Sequence, residues 1–151
     1  MEVVNVLQQQ YVDFLSSLYS EGLLEKHFGN VQMLTENEPH VMSELLALFF
    51  EDSERYLQNL ATALDQMDVD YEKVDDFAVP LYDGSLSLGT QRMNNACVTF
   101  RSCYKSKNLE GCLRCLRQLK DEYYLVKSKF QTMLALEQRI VAAGGSVPIV
   151  K

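Results

Sequence analysis

Apolar residues recur at helical spacing through almost the whole chain, and this regularity restricts the possible folds more than any other feature. The clearest stretch follows Pro39, where apolar positions keep to the i, i+3, i+4, i+7 pattern. Its members are Met42, Leu45, Leu46, Phe49, Tyr56, Leu57, Leu60, Leu64 and Met67. Only 7 glycines and 3 prolines occur in 151 residues, so we expect few turns and long elements. No segment requires a strand, and the sequence predicts an all-α protein.

The same pattern divides the chain into six predicted helical segments. They are residues 4–18, 28–34, 40 to about 68, 71–77, 91–104 and 109–140. The last would be on the order of 50 Å long at about 1.5 Å rise per residue. Long amphipathic helices joined by short connections pack as antiparallel neighbours. We therefore predict one domain over residues 1–151, an antiparallel up-down four-helix bundle with an N-terminal helical extension.

Charge is distributed unevenly along the chain. Residues 1–100 carry 4 basic and 17 acidic groups, a net charge of −13, whereas residues 101–151 carry 10 basic and 4 acidic groups, a net charge of +6. The simplest interpretation is partial neutralisation within the bundle. The acidic total of −7 argues against broad binding of nucleic acid, which needs a dominant basic face. No apolar run approaches the length of a membrane span, so we expect neither nucleic-acid nor membrane partners.

All four cysteines lie between Cys97 and Cys115. They are too few and too clustered to staple a secreted scaffold, which indicates a reducing compartment. Cys112 and Cys115 form a C-x-x-C, but the βαβ context of a redox motif is missing. A helical hairpin could gather the four thiolates into a zinc site. The simpler interpretation is that they are small buried hydrophobes, and we predict no metal and no cofactor.

Three stretches resemble one family closely. They are LFFEDSERYL (Leu48–Leu57), QRMNNACVTFRS (Gln91–Ser102) and KNLEGCLRCLRQLKDEYYLVKSKFQTMLALEQRIVAAGG (Lys107–Gly145). They are similar to plant histidine-containing phosphotransfer proteins of the cytokinin phosphorelay, and the similarity covers nearly the whole chain. The resemblance implies a helical bundle, a location in cytoplasm and nucleus, and docking to receiver domains of sensor histidine kinases and response regulators.

In that family the chemistry rests on an exposed histidine of the fourth helix, within a His-Gln-Leu-Lys-Gly-Ser-Ser stretch. Its ring nitrogen attacks the acyl phosphate of a receiver aspartate and holds the phosphoryl group as a phosphoramidate. Alignment from Asp70 to Gln91 without a gap places Val79 at the histidine, Pro80 at the glutamine, Tyr82 at the lysine and Asp83 at the glycine. A one-residue gap places Pro80 at the histidine and Asp83 at the lysine. Neither alignment supplies a nucleophile, so we predict no catalytic residue.

Other nucleophiles offer no clear substitute. His27 and His40 lie outside the fourth helix and lack the Lys-Gly-Ser context, which favours surface or capping roles. Ser85 and Ser87 have no histidine nearby in the sequence, and no glycine-rich phosphate cradle is present.

The backbone around Val79 also departs from a regular helix pattern. Pro80 removes one helical N–H bond and would crowd the carbonyl of Asp76, at about 3 kcal/mol in a helix interior. Asp83-Gly84 is a turn pair, so Ala78–Leu88 could form a hairpin. An isolated hairpin is marginally stable, and we favour a shortened, kinked or re-started fourth helix.

These observations favour a pseudo-phosphotransfer protein, a non-enzymatic adaptor that docks receivers without accepting phosphate and acts as a negative regulator. Phe50, Tyr82 and Leu86 are the candidate partner contacts, with ordinary packing as the alternative. We expect a monomer in cytoplasm and nucleus. Two other functions stay open: an active carrier that uses His27 or His40, and an inert helical scaffold.

Overall fold

The computed structural model describes residues 2–150. This part of the chain is α-helical without strands, which confirms the predicted fold class. The helices are α1 (Glu2–Ser20), α2 (Lys26–Leu34), α3 (Pro39–Leu64), α4 (Tyr71–Ser87), α5 (Gln91–Lys105) and α6 (Leu109–Ala142). No helix within these residues is both long and apolar enough to cross a membrane.

Helices α3 to α6 form the bundle, and α1 and α2 form the N-terminal extension. The connections within the bundle are short, which makes sequential helices antiparallel neighbours. Helix α6 also packs against α3 and so closes the bundle. At 34 residues it is about 51 Å long, long enough to contact α1 as well as the bundle.

Aromatic side chains join the extension to the bundle. The rings of Phe28 on α2 and Phe130 on α6 stack with their centroids 5.3 Å apart. Phe49 of α3 meets Phe130 edge-on at 6.4 Å and Tyr123 of α6 at 6.1 Å. Because these four side chains are almost entirely buried and rings of this kind cover large apolar areas, they fix α3 against α6 and hold α2 over both.

Helix α4 runs from Tyr71 to Ser87 without interruption and contains Pro80 in its interior. The choice of helix over hairpin is therefore confirmed, whereas the expectation of a shortened or re-started helix is wrong. Asp70 caps the N-terminus by accepting a hydrogen bond from the Glu72 amide at 3.1 Å. Leu81, Ser85 and Leu88 are buried at i, i+4 and i+7, so packing continues beyond the proline. The carbonyl that Pro80 leaves without a helical donor belongs to Asp76, which is exposed and can be hydrated.

Candidate docking face on helix four

The solvent side of α4 combines aliphatic and acidic side chains. Val79 and Leu86 are 42% and 41% exposed, and Asp76 and Asp83 are exposed with them. On a helix of 3.6 residues per turn these four positions share one side. We call them the α4 outer face. No salt bridge within residues 2–150 involves Asp76 or Asp83, so this face carries two carboxylates without an ion-pair partner, which alternate along the helix with the two aliphatic side chains.

An open apolar groove of about 600 Å³ runs beside this face, between α4, α3 and the end of α2. We call it the α3–α4 groove. Its aliphatic lining includes Leu34, Leu45 and Leu48, which are 84%, 36% and 58% exposed. On the α4 side it is lined by Pro80 and Gly84. A Cβ at Gly84 would lie 3.9 Å from the Phe49 ring, at ordinary van der Waals distance, so α4 and α3 approach closely at this point of the groove.

The structure places two of the three predicted contact residues one turn apart on α4 and the third on α3. Leu86 lies on the α4 outer face, and Tyr82 is half-buried on the α5 side of the same helix, where its carbonyl accepts a hydrogen bond from Asn94 Nδ2 at 3.3 Å. Phe50 instead lies between α3 and α6: Lys127 Nζ is 5.5 Å from its ring centroid, and Tyr123 donates to its carbonyl at 3.2 Å. The structure therefore brings Tyr82 and Leu86 together and places Phe50 elsewhere.

The groove leucines were missed as candidate contacts in the sequence. Leu45 belongs to the periodic apolar stripe of α3, a position that ordinarily indicates packing inside the bundle. Leu48 falls outside the stripe, and an apolar residue on the polar side of an amphipathic helix was the available signal. Leu34 is the last residue of α2, where a terminal side chain can extend beyond the packed layer.

Neither histidine lies level with Val79. The Glu25 amide donates to Gly89 O at 2.8 Å, so His27 lies near the C-terminal end of α4, about 15 Å along the axis from Val79 at 1.5 Å per residue. Phe49 is level with Gly84. His40 comes nine residues before Phe49 on α3, and Val79 comes five residues before Gly84 on α4. Because α3 and α4 are antiparallel, the two residues are displaced in opposite directions, and His40 lies about 20 Å along the axis from Val79. His27 Nδ1 is also held 2.6 Å from Glu25 Oε1, as expected for a capping environment.

Neither serine in the second half of α4 lies exposed beside Val79. Ser85 is fully buried, and its hydroxyl donates to the Tyr82 carbonyl at 2.8 Å. Ser87 is exposed but lies two turns away, and it donates to Asp83 O at 2.8 Å. In residues 2–150, no group of three or more His, Cys, Asp or Glu side chains is placed to hold a metal ion.

Comparison with known proteins identifies the family. The Hpt domain model matches residues 44–129, which include the whole of α4 and α5. Histidine-containing phosphotransfer protein 1 of Arabidopsis thaliana is 46% identical over 95% of this chain and 94% of its own length. Pseudo histidine-containing phosphotransfer protein 6 of the same plant is 36% identical over 97% of both chains.

Solved structures agree with the sequence matches. The crystal structure of a histidine-containing phosphotransfer protein from Medicago truncatula has a TM-score of 0.85 at 36% identity and covers 91% of this chain and 95% of that one. Since both the phosphotransfer proteins and their pseudo forms align over nearly the full length, overall similarity does not separate the two groups. The chain belongs to the plant histidine-containing phosphotransfer family of two-component signalling.

Proposed function

We propose that this protein is a pseudo-phosphotransfer protein that occupies receiver domains and cannot carry their phosphate. Hpt proteins relay phosphate between kinases and response regulators, and the transfer requires a nucleophilic ring nitrogen. The observation that carries the proposal is Val79, an exposed isopropyl group on an uninterrupted α4. Val79 is exposed, whereas Pro80 is half-buried and lines the α3–α4 groove. Because the family histidine is exposed, this supports the ungapped alignment, in which Val79 stands at the phosphoacceptor position. An isopropyl group has no lone pair with which to attack an acyl phosphate.

The surroundings of Val79 support the same function. A carrier must stabilise a negative phosphoryl group, and positive side chains do this best. Here Tyr82 stands at the lysine position of the family pattern, and the exposed Asp83 follows it. A carboxylate so close would repel a phosphoryl group. The site therefore opposes phosphate by charge as well as by its lack of a nucleophile.

The α4 outer face and the α3–α4 groove are the proposed docking surface for receivers. Leu34 and Leu48 expose 84% and 58% of their surface next to Pro80 and Gly84. An exposed apolar patch of this kind is typical of a protein interaction site. By covering the receiver aspartate while accepting nothing, the chain would compete with active carriers and act as a negative regulator.

The phosphate test uses the full chain and a receiver labelled on its aspartate. We expect no acid-labile label on this protein after incubation, while an active plant phosphotransfer protein under the same conditions becomes labelled. Adding this protein to the active carrier should slow transfer in proportion to its concentration. Stable label on the chain would contradict the proposal, and loss of that label in His27→Ala or His40→Ala would identify the acceptor.

The docking test compares two matched surface substitutions by calorimetry with isolated receivers. Leu48→Asp places a charge in the α3–α4 groove and should weaken binding at least about tenfold, which corresponds to about 1.4 kcal/mol. Val6→Asp is the control, because Val6 is a similarly exposed aliphatic residue (56% against 58% for Leu48) on α1. Equal binding by both variants would show that the receiver interface lies outside the α3–α4 groove. No binding by the unmodified chain would favour an inert scaffold.

We propose further that the protein is a monomer present in cytoplasm and nucleus. A mass of 17.3 kDa is compatible with free passage between the two compartments. Sedimentation analysis and imaging of a fluorescent fusion would test these two points separately.

A further inference from the structure

Two thiols on different helices face each other at the α5–α6 hairpin. Cys103 Sγ of α5 lies 3.2 Å from Cys115 Sγ of α6. Both side chains are partly exposed, whereas Cys97 and Cys112 are buried. Small oxidants in solution can therefore reach the close pair more easily than the other two thiols.

Local backbone features fix this approach. Asn108 caps α6 by accepting a hydrogen bond from the Gly111 amide at 3.0 Å, and Lys107 turns the chain with a positive φ of 55°. Gly111 itself permits the close contact, because a Cβ there would lie 3.2 Å from Cys103 Sγ. A disulfide has an S–S length of about 2.05 Å, so the distance between the two sulfurs has to shorten by about 1 Å.

We propose that Cys103 and Cys115 are a modification site that forms an intramolecular disulfide in the presence of a peroxide. In the first step one thiolate attacks a peroxide oxygen, the S–O bond forms, the O–O bond breaks and hydroxide leaves. In the second step the other sulfur attacks the sulfenic acid, the S–S bond forms and the S–O bond breaks. The oxygen leaves as water, and the hydroxide takes up the remaining proton. Two thiols and one peroxide thus give one disulfide and two waters.

The local electrostatics set the rate of this reaction. Burial, together with the neighbouring Cys103 thiol, raises the pKa of Cys115 to about 11, while Arg114 lowers it in part. Burial likewise raises the pKa of the adjacent Cys112 thiol to about 11. Thiolate is the reactive form, so oxidation is expected to be slow at pH 7 and faster at pH 9.

The disulfide would close a short loop between consecutive helices. Such a link restricts the unfolded chain and so favours the folded state. We therefore expect oxidation to raise the midpoint of thermal unfolding and reduction by dithiothreitol to restore the original value.

The full chain allows a direct test with hydrogen peroxide, alkylation of the remaining thiols and trypsin. Trypsin places the last three cysteines on separate peptides, which are Ser102–Lys105, Asn108–Arg114 and Cys115–Arg117. We expect the first and third peptides to be linked, with the loss of two hydrogens, in a monomeric product. Cys103→Ser and Cys115→Ser should abolish the link, and Cys97→Ser should retain it as the control. A link to Cys112, a purely intermolecular link, or free alkylation of both thiols would overturn the proposal.

Discussion

At the scale of single residues, the proposed loss of function involves three positions rather than one. Val79 lacks a nucleophile, but Tyr82 and Asp83 also change the charge next to it. A histidine at position 79 would be exposed on the same helix side as Val79 and could reach a receiver. It would still face the carboxylate of Asp83, whose repulsion of a phosphoryl group is on the order of 1 kcal/mol at surface separations of a few ångströms.

We predict that Val79→His alone takes up acid-labile phosphate slowly. Adding Tyr82→Lys and Asp83→Gly should speed uptake about tenfold or more, because a repulsive charge is removed and an attractive one is added. Transfer from a labelled receiver measures both rates, with Val79→Ala as the unlabelled control and circular dichroism as the check on folding. If the single and triple variants react equally fast, the charge around position 79 has no role.

At the scale of elements, α4 shows how far tertiary packing can override a local rule. Pro80 should disrupt a helix interior, yet α4 continues through it. The buried residues Leu81 and Leu88 keep the second half of the helix against the core, and each contributes roughly 1.5–3 kcal/mol when fully buried. This is comparable to the proline penalty of about 3 kcal/mol.

Replacing Pro80 by alanine tests this balance. Pro80→Ala supplies an N–H for the Asp76 carbonyl and removes the ring, so we expect the free energy of unfolding to rise by about 1–3 kcal/mol. Urea unfolding followed by circular dichroism measures the change, and an unchanged m-value shows that the unfolded state is not altered. A lower midpoint would mean that the packing of the proline ring in the α3–α4 groove outweighs the lost hydrogen bond.

Sequence periodicity predicted five of the six helices well because each buries one continuous stripe, but it ended the fourth at residue 77 instead of Ser87. Periodicity could not predict which neighbouring helix packs against each side of an apolar stripe. Phe50 and Leu48 are two positions apart on α3 and so point to opposite sides of the helix, but only the packing shows that Phe50 meets α6 and that Leu48 lines the α3–α4 groove. The cysteine pair shows the same limit: the sequence placed Cys103 and Cys115 on consecutive helices, but their 3.2 Å contact depends on how α5 and α6 are rotated and how closely Gly111 lets them approach.

At the scale of the whole molecule, the charge asymmetry is only partly neutralised within the fold. Two ion pairs join an acid from the first part to a base from the second. They are Asp75 with Lys105 at 3.5 Å and Glu54 with Lys127 at 2.8 Å. The acids of the α4 outer face are not involved, so the proposed docking surface remains negative, while most of the basic groups lie on α5 and α6. Fields of this kind influence the rate and orientation of encounter with a partner.

A buried polar network also connects distant parts of the chain. Glu137 of α6 is only 5% exposed and accepts a hydrogen bond from the Tyr11 hydroxyl of α1 at 3.1 Å. Gln32 of α2 donates to the same hydroxyl at 2.7 Å and accepts from the Val150 amide at 3.3 Å. The N-terminal extension, the C-terminal segment and α6 are therefore linked through the Tyr11 hydroxyl and Gln32, beside a cavity of about 270 Å³ that Tyr11, Gln32 and Glu137 line.

Protonation of Glu137 should set the pH dependence of stability. Burial raises the pKa of this carboxyl from 4.5 to about 7, partly offset by the Tyr11 hydrogen bond. Between about pH 4.5 and pH 7, Glu137 therefore keeps its proton in the folded state and has lost it in the unfolded state. Stability from this group is complete below about pH 4.5 and is lost as the pH rises to about 7, by on the order of 3 kcal/mol.

Urea unfolding at pH 5 to 8 measures this loss. The free energy of unfolding should fall as the pH rises in the unmodified chain, and Glu137→Gln should remove most of that fall because the amide does not titrate. Glu36→Gln is the matched control, since Glu36 lines the same cavity but is exposed, and it should leave the slope unchanged. Parallel pH profiles for Glu137→Gln and the unmodified chain would show that the carboxyl is ionised in the folded protein, and that the junction of α1, α2 and α6 tolerates a buried charge.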